Sequence, residues 1–409
     1  MHVRSVAIAF ALMVTVVVNF TPRAEAKNLK LANFQAAQVV IGQPDFISND
    51  AGVGADKIQD AYGNPWLAGG ILFVPVYLNA QVLGFTGIPK VNGASADLVL
   101  GEPDFNTHSG GTGPDQLGGP VNVVSAGHRL IVDDYSNNRV LIWKKIPRTT
   151  AAPADLVLGQ SGFGSDGFGC GPTMLAAPET VWAAAGKLVV SDSGNNRILI
   201  WKKIPQVSGQ APDLVLGQGN FVTCVANNDG TGNAGSSPSA ANLSFPAAIW
   251  TNGKRLIVVD NENNRVLIWK RFPKRNFQPA DMVLGQPDFI SSVPNNDGLG
   301  NSGPPSAQNL NDPFDGLYSN GTQVFVADNL NDRVLIWNKF PTGNFQPANR
   351  VIGQPDFTCG APNNDGSGTC KSGQPSAGGL TFPEGVIQIG NRLIVNDNGN
   401  NRYLIYKGN

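Results

Sequence analysis

The sequence predicts an all-β fold, a six-bladed β-propeller of four-stranded blades, and three observations predict it. One phrase is written five times: RLIVDDYSNNRVLIWKKIP, KLVVSDSGNNRILIWKKIP, RLIVVDNENNRVLIWKRFP, QVFVADNLNDRVLIWNKFP and RLIVNDNGNNRYLIYK. Its arginines, Arg139, Arg197, Arg265, Arg333 and Arg402, are spaced 58, 68, 68 and 69 residues apart. A second phrase, of the form VLGQPDF, recurs six times, with glycines at Gly42, Gly101, Gly159, Gly217, Gly285 and Gly353. Third, each end of the chain carries a piece that the other lacks. Self-similarity at such a period marks a repeat architecture.

The N-terminus comes first. Arg4, an apolar run from Ser5 to Phe20 and the small-residue motif Ala24-Glu25-Ala26 read as a secretory signal peptide over residues 1–26. The mature chain, 27–409, is then exported to the periplasm or beyond, with no later membrane span and a monomer expected. A free strand follows in AAQVVIGQPDF. The last repeat ends at its third strand, so residues 37–41 are expected to supply the missing strand and close the ring, which removes an open edge.

The first repeat has drifted. ILFVPVYLNAQVLGFTGIP places Gln81 where the others have arginine. The fourth repeat is clearer. Pro246 precedes the strand AAIWT, Asn252-Gly253 turns into RLIVVD, and Asn261–Asn264 turns into RVLIWKR. Pro273 then opens a connector to DMVLG. Asn-Gly and Asp-x-x-Asn-Asn between apolar runs are hairpin signals. Runs such as VLIW, apolar at every position, suit strands covered on both faces. The 49 glycines and 29 prolines serve turns, and a net charge of −1 suggests no broad pull towards nucleic acid or acidic lipid.

The four cysteines suit an oxidising compartment. Cys359 and Cys370 share one loop, and Cys170 and Cys224 lie in successive loops of neighbouring blades. The pairs Cys359–Cys370 and Cys170–Cys224 are therefore expected. There is no C-x-x-C, and few histidines, to suggest zinc.

Asp134, Asp192, Asp260, Asp328 and Asp397 look like a ring of metal ligands. Asp and Asn at such positions more simply cap turns, and each arginine pairs with such an aspartate within or between blades. Three enlarged loops carry Asn-Asn-Asp-Gly: Asn227 and Asp229, Asn295 and Asp297, Asn363 and Asp365. Their spacing does not fit a calcium loop. They gather on one rim over the third to sixth blades, and insertions on one face of a repeat protein point to a binding surface. The first strands line the channel. There the copies disagree, and Asn122, Glu179, Asp315 and Glu384 offer oxygens at the channel mouth, where they can hold a cation or act as acid and base. The chain lacks a Gly-x-Ser-x-Gly elbow and a haem-attachment motif. No catalytic residue or resident metal is assigned.

At FPEGV…LIVNDNGNNRYLIY and its copies, over nearly all of residues 60–409, the chain resembles the NHL repeat family. The VLGQPDF phrase looks like that of exported bacterial NHL-repeat proteins. The resemblance implies a six-bladed ring whose top surface binds proteins, peptides, glycans or nucleic acid. Some relatives are peptidyl-amidating lyases, which need zinc-binding histidines that this sequence lacks. Others are gluconolactonase-like hydrolases, which hold calcium on channel acids and asparagines. Fold alone does not assign function. The expected role is a binding module for a protein, peptide or glycan through the rim over blades three to six. The alternative is a calcium-assisted lyase or lactonase-like hydrolase at the channel mouth.

Overall fold

In the computed structural model, which describes residues 28–408, six four-stranded antiparallel sheets form a six-bladed β-propeller. Residues 1–26, read from the sequence as a signal peptide, lie outside the described range. In the fourth sheet the strands are Pro246–Thr251, Leu256–Asp260, Arg265–Trp269 and Met282–Leu284, paired in chain order. The last sheet holds Gly385–Ile389, Arg392–Asp397 and Arg402–Lys407, and its fourth strand is Val39–Ile41 from the start of the chain. Val39, Val40 and Ile41 lie opposite Ile405, Leu404 and Tyr403. The ring thus closes on backbone hydrogen bonds, three residues deep.

The middle strands are buried on both faces, as their unbroken apolar runs require. Arg265–Trp269 is buried throughout, and so are its four counterparts. Each arginine lies opposite the aspartate five residues before it, on the paired strand. The guanidinium Nε donates to that carboxylate at 2.6–2.7 Å in all five repeats, and both side chains are fully buried.

The turn between them shows why the motif reads Asp-x-x-Asn-Asn-Arg. Residues such as Asn261–Asn263 form a single 3-10 turn. The first asparagine, Asn263, donates to the aspartate at 2.8 Å. The second, Asn264, adopts the left-handed conformation at φ 51°, where asparagine is tolerated better than most residues. Its side chain then clips the next blade: Asn264 Oδ1 accepts from the Asp312 amide at 2.8 Å, and Nδ2 donates to the Ser292 carbonyl at 3.0 Å.

The second repeated phrase completes this lattice. Arg265 reaches the carbonyls of Phe289, Ser239 and Asn242, so it binds the VLGQPDF segment of its own blade and the loop before it. Gln286 donates to the carbonyls of Asn264 and Val293. Gly285 stands at φ +85°, and a Cβ there would lie 2.7 Å from Leu310 Cδ1 and 2.9 Å from the Asn264 carbonyl oxygen. Only glycine fits.

Both expected disulfides are formed. Cys170–Cys224 joins the loops on either side of the third blade, and Cys359–Cys370 staples one loop.

The fifth blade departs from the pattern at Asp332, which stands where the others carry the second asparagine. It still accepts from the Phe382 amide at 2.9 Å, but it has no N–H to give. Burial pushes its carboxyl up to about 7. The fold therefore penalises the ionised form. The penalty is absent below the ordinary carboxylate range, grows as pH rises from about 4 towards 7, and is complete above that. Asp332→Asn should stabilise the protein by on the order of 2 kcal/mol at pH 8 and by much less at pH 4. Urea unfolding at the two pH values checks this. Gly285→Ala should cost at least about 2 kcal/mol by the same measurement.

Candidate functional site

The channel mouth is built by bulges. In four sheets the innermost strand slips register just after its leading proline, at Pro120/Val123, Pro178/Thr180, Pro246/Ile249 and Pro313/Leu317. A bulge leaves residues off the ladder and re-aims their side chains. Asn122, Glu179 and Asp315 sit in three of these bulges. Asn122 and Asp315 stand two residues after the proline and Glu179 directly after it, so the bulges free side chains at neighbouring rather than identical repeat positions.

Glu179 and Asp315 are fully buried and close enough for the charge of one to act on the other. Burial pushes Glu179 up to about 8. Asp315 is raised well above the carboxylate range by burial, and then by the charge of Glu179. Asp133, also fully buried, is raised by burial and by Glu179. No N–H or hydroxyl donor among the described residues reaches the carboxyl oxygens of Asp133, Glu179 or Asp315, or Asn122 Oδ1. Glu384 differs. It is partly exposed and accepts from Asn398 at 2.8 Å and Asn329 at 3.3 Å.

The drifted first blade covers this cluster. Residues Tyr62-Gly63-Asn64 lie across the mouth. Asn64 donates to the Asp315 carbonyl and accepts from the Val386 amide, so it bridges the fifth and sixth blades. A Cβ on Gly63 would lie 1.9 Å from the Val121 carbonyl oxygen. The Tyr62 ring packs on Tyr77 at 5.2 Å and on Phe314 at 5.9 Å. Burial, and then the charge of Glu179, raise its hydroxyl far above the usual value. At the other end, Trp66 meets Trp182 edge-on at 5.3 Å, and Trp182 meets Tyr318 at 6.2 Å. Trp182 and Trp250 are buried core side chains. The acid pair is enclosed from both sides.

Calcium is the cation that the channel oxygens would suit by type. The donors are oxygens, as a hard cation prefers. Among the described residues, however, no three Asp, Glu, His or Cys side chains converge as ligands of one ion. No reaction step is therefore derived through a metal.

The rim residues divide by role. Asn227 exchanges amide hydrogen bonds with Asn263 of the next turn, as Asn295 does with Asn331 and Asn363 with Asn400. These asparagines knit the loops to the ring. Asp229, Asp297 and Asp365 point to solvent. Hydrogen bonds from Thr231, Leu299 and Ser367 hold the three carboxyls below their ordinary range, hence ionised.

Around them lies a surface that single-residue reasoning missed. Ile47, Phe168, Val222, Ile290, Leu299 and Phe382 are exposed large apolar residues, all in the loops on this face; Leu299 is 87% exposed. Asp133 was missed as well, although it was detectable. The other copies have Ser191, Val259, Ala327 and Asn396 at its position.

The charges also separate by face. Among the described residues the loop face carries carboxylates from Asp45 to Glu384 with only two lysines, Lys57 and Lys371. Lysines and arginines gather on the opposite face, where the only acids among the described residues are Asp97, Asp155, Asp213 and Asp281. The near-zero net charge of −1 conceals this separation.

No protein-family model matches the chain, and no curated protein matches it. Among solved structures, it is similar to the computationally designed Ika8 protein, at 8% identity and a TM-score of 0.41. The alignment covers 91% of this chain and 100% of that one. A likeness this distant says nothing about function.

The buried acids make a testable demand on pH. Their raised values mean that ionisation opposes folding. Stability is full near the ordinary carboxylate range and falls as pH rises towards about 8. Glu179→Gln/Asp315→Asn should flatten the decline in Tm between pH 5 and 9 and add ~2–4 kcal/mol at pH 9. Thermal unfolding across that range checks it.

Proposed function

We propose that this chain is an exported binding module of the NHL-repeat kind that captures a polypeptide segment on its loop face. One observation carries the reading: exposed apolar side chains cluster on the same face as the outward aspartates of the enlarged loops. Val222, Ile290 and Leu299 stand in loops that also carry Asp229 and Asp297. Exposed apolar groups rimmed by polar ones mark interaction sites. A segment of apolar residues flanked by lysine or arginine complements such a surface, the charges steering the encounter and the apolar groups holding it. The two disulfides support maturation in an oxidising compartment.

The calcium-assisted lyase or hydrolase gains no comparable support. Two of its acids, Glu179 and Asp315, are fully buried, and among the described residues no three Asp, Glu, His or Cys side chains converge on one ion.

Panning a displayed peptide library against the purified protein tests the proposal. Enriched sequences should combine basic and apolar residues, and Val222→Glu/Ile290→Glu/Leu299→Glu should weaken their binding by about tenfold or more. The asparagines that tie the loops down remain in this variant. Failure to enrich any peptide, or equal binding by the variant, would count against the reading; enrichment on a glycan array instead would reassign the ligand.

A further inference from the structure

We propose that the face opposite the loops docks flat on an anionic lipid bilayer. The residues come from the repeated phrase itself. After the third strands of blades two to five the chain writes Lys144-Lys145, Lys202-Lys203, Lys270-Arg271 and Asn338-Lys339. Those positions leave the sheet at the end remote from the loops, and the lysines and Arg271 are exposed. The hairpins between first and second strands bring further cations to the same side. The Lys187 ammonium lies 5.4 Å from the Phe272 ring of the next blade, and the Arg255 guanidinium lies 4.3 Å from Phe340. Arg148 donates to the Gly69 carbonyl of the blade before it.

Distance makes this face electrically independent of the other. Strands of five to seven residues separate the two faces by roughly 16–24 Å. Screening at physiological salt acts over about 8 Å. A partner below the ring meets the cations and hardly senses the loop carboxylates.

The shape of the charge selects the partner. Cations run around the whole ring, from Lys90 in the first blade to Lys407 in the last. A flat anionic surface meets all of them at once, whereas a rod-like polyanion crosses only part of the disc. Nucleic acid would also want aromatic faces for stacking. The tryptophans here are buried, and their indole N–H groups are committed: Trp143, Trp201, Trp269 and Trp337 donate to the carbonyls of Ala152, Gln210, Gln278 and Gln346. The exposed apolar side chains on this face, Val91 and Val207, are small and suited to headgroup depth. Docked in this way, the ring presents its loop face outwards. This inference does not rest on the loop-face reading, and each can fail alone.

Vesicle sedimentation tests it. The purified mature protein should pellet with vesicles of phosphatidylcholine mixed with phosphatidylglycerol, but not with phosphatidylcholine alone, and high salt should release it. Lys270→Glu/Arg271→Glu/Lys274→Glu/Arg275→Glu, all exposed positions, should reduce binding by about tenfold or more. Asp229→Asn/Asp297→Asn/Asp365→Asn on the loop face should leave it unchanged. Circular dichroism confirms that the variants are folded. No pelleting with the anionic vesicles, equal pelleting with neutral ones, or full binding by the charge-reversed variant would overturn the proposal. So would tight binding to double-stranded DNA with none to vesicles.

Discussion

A buried aspartate–arginine pair, repeated five times, is the constraint on which the rest of the molecule depends. Taking two charges out of water costs several kcal/mol per ion, and their attraction rarely exceeds that by much. Burial raises the carboxyls of Asp192, Asp260 and Asp397 even with a guanidinium in contact. The pair is therefore better understood as a source of geometry than of net stability. Arg139 shows the cost being offset: all its donors are used, one on Asp134 and the others on the carbonyls of Thr112, Phe163, Gly113 and Gln116. Those carbonyls belong to loops that have no regular structure of their own. The arginine turns loose loop backbone into part of the core.

This arrangement explains why the two repeated phrases travel together. The Asp-x-x-Asn-Asn-Arg turn supplies the charge pair and the clip to the next blade. The Gly-Gln of the other phrase lets the backbone approach closely and satisfies the turn's carbonyls. Each needs the other, and both are needed to set one blade against its neighbour. Where the pattern lapses, the fold compensates. Gln81, in place of an arginine, gives its amide to the carbonyls of Asp104, Phe105 and Thr107.

The ring, its strand order and its closure by Val39–Ile41 were legible in the sequence, because strand periodicity and turn chemistry are local and were written several times over. The channel was legible only in part. Asn122, Glu179 and Asp315 stood out because the copies disagree there, but the bulges that turn them inwards depend on pairing with a second strand. The Tyr62–Asn64 cover was not legible. It belongs to the one repeat whose pattern has decayed, and its contacts lie in blades two, five and six. The division of charge was present in every WKK, yet a net charge averages over faces that only the folded ring separates.

The result is a closed ring with an acidic, partly apolar face and a basic one, both carried by the same repeated blade geometry. The most direct test of the central constraint is a double-mutant cycle on Asp260 and Arg265, read by urea unfolding of Asp260→Ala, Arg265→Ala and the double variant. Each single change should strand a buried partner and cost about 3–5 kcal/mol, and the double variant should cost much less than their sum, with a coupling of at least about 2 kcal/mol. Additive costs, with coupling within about 0.5 kcal/mol, would contradict the account.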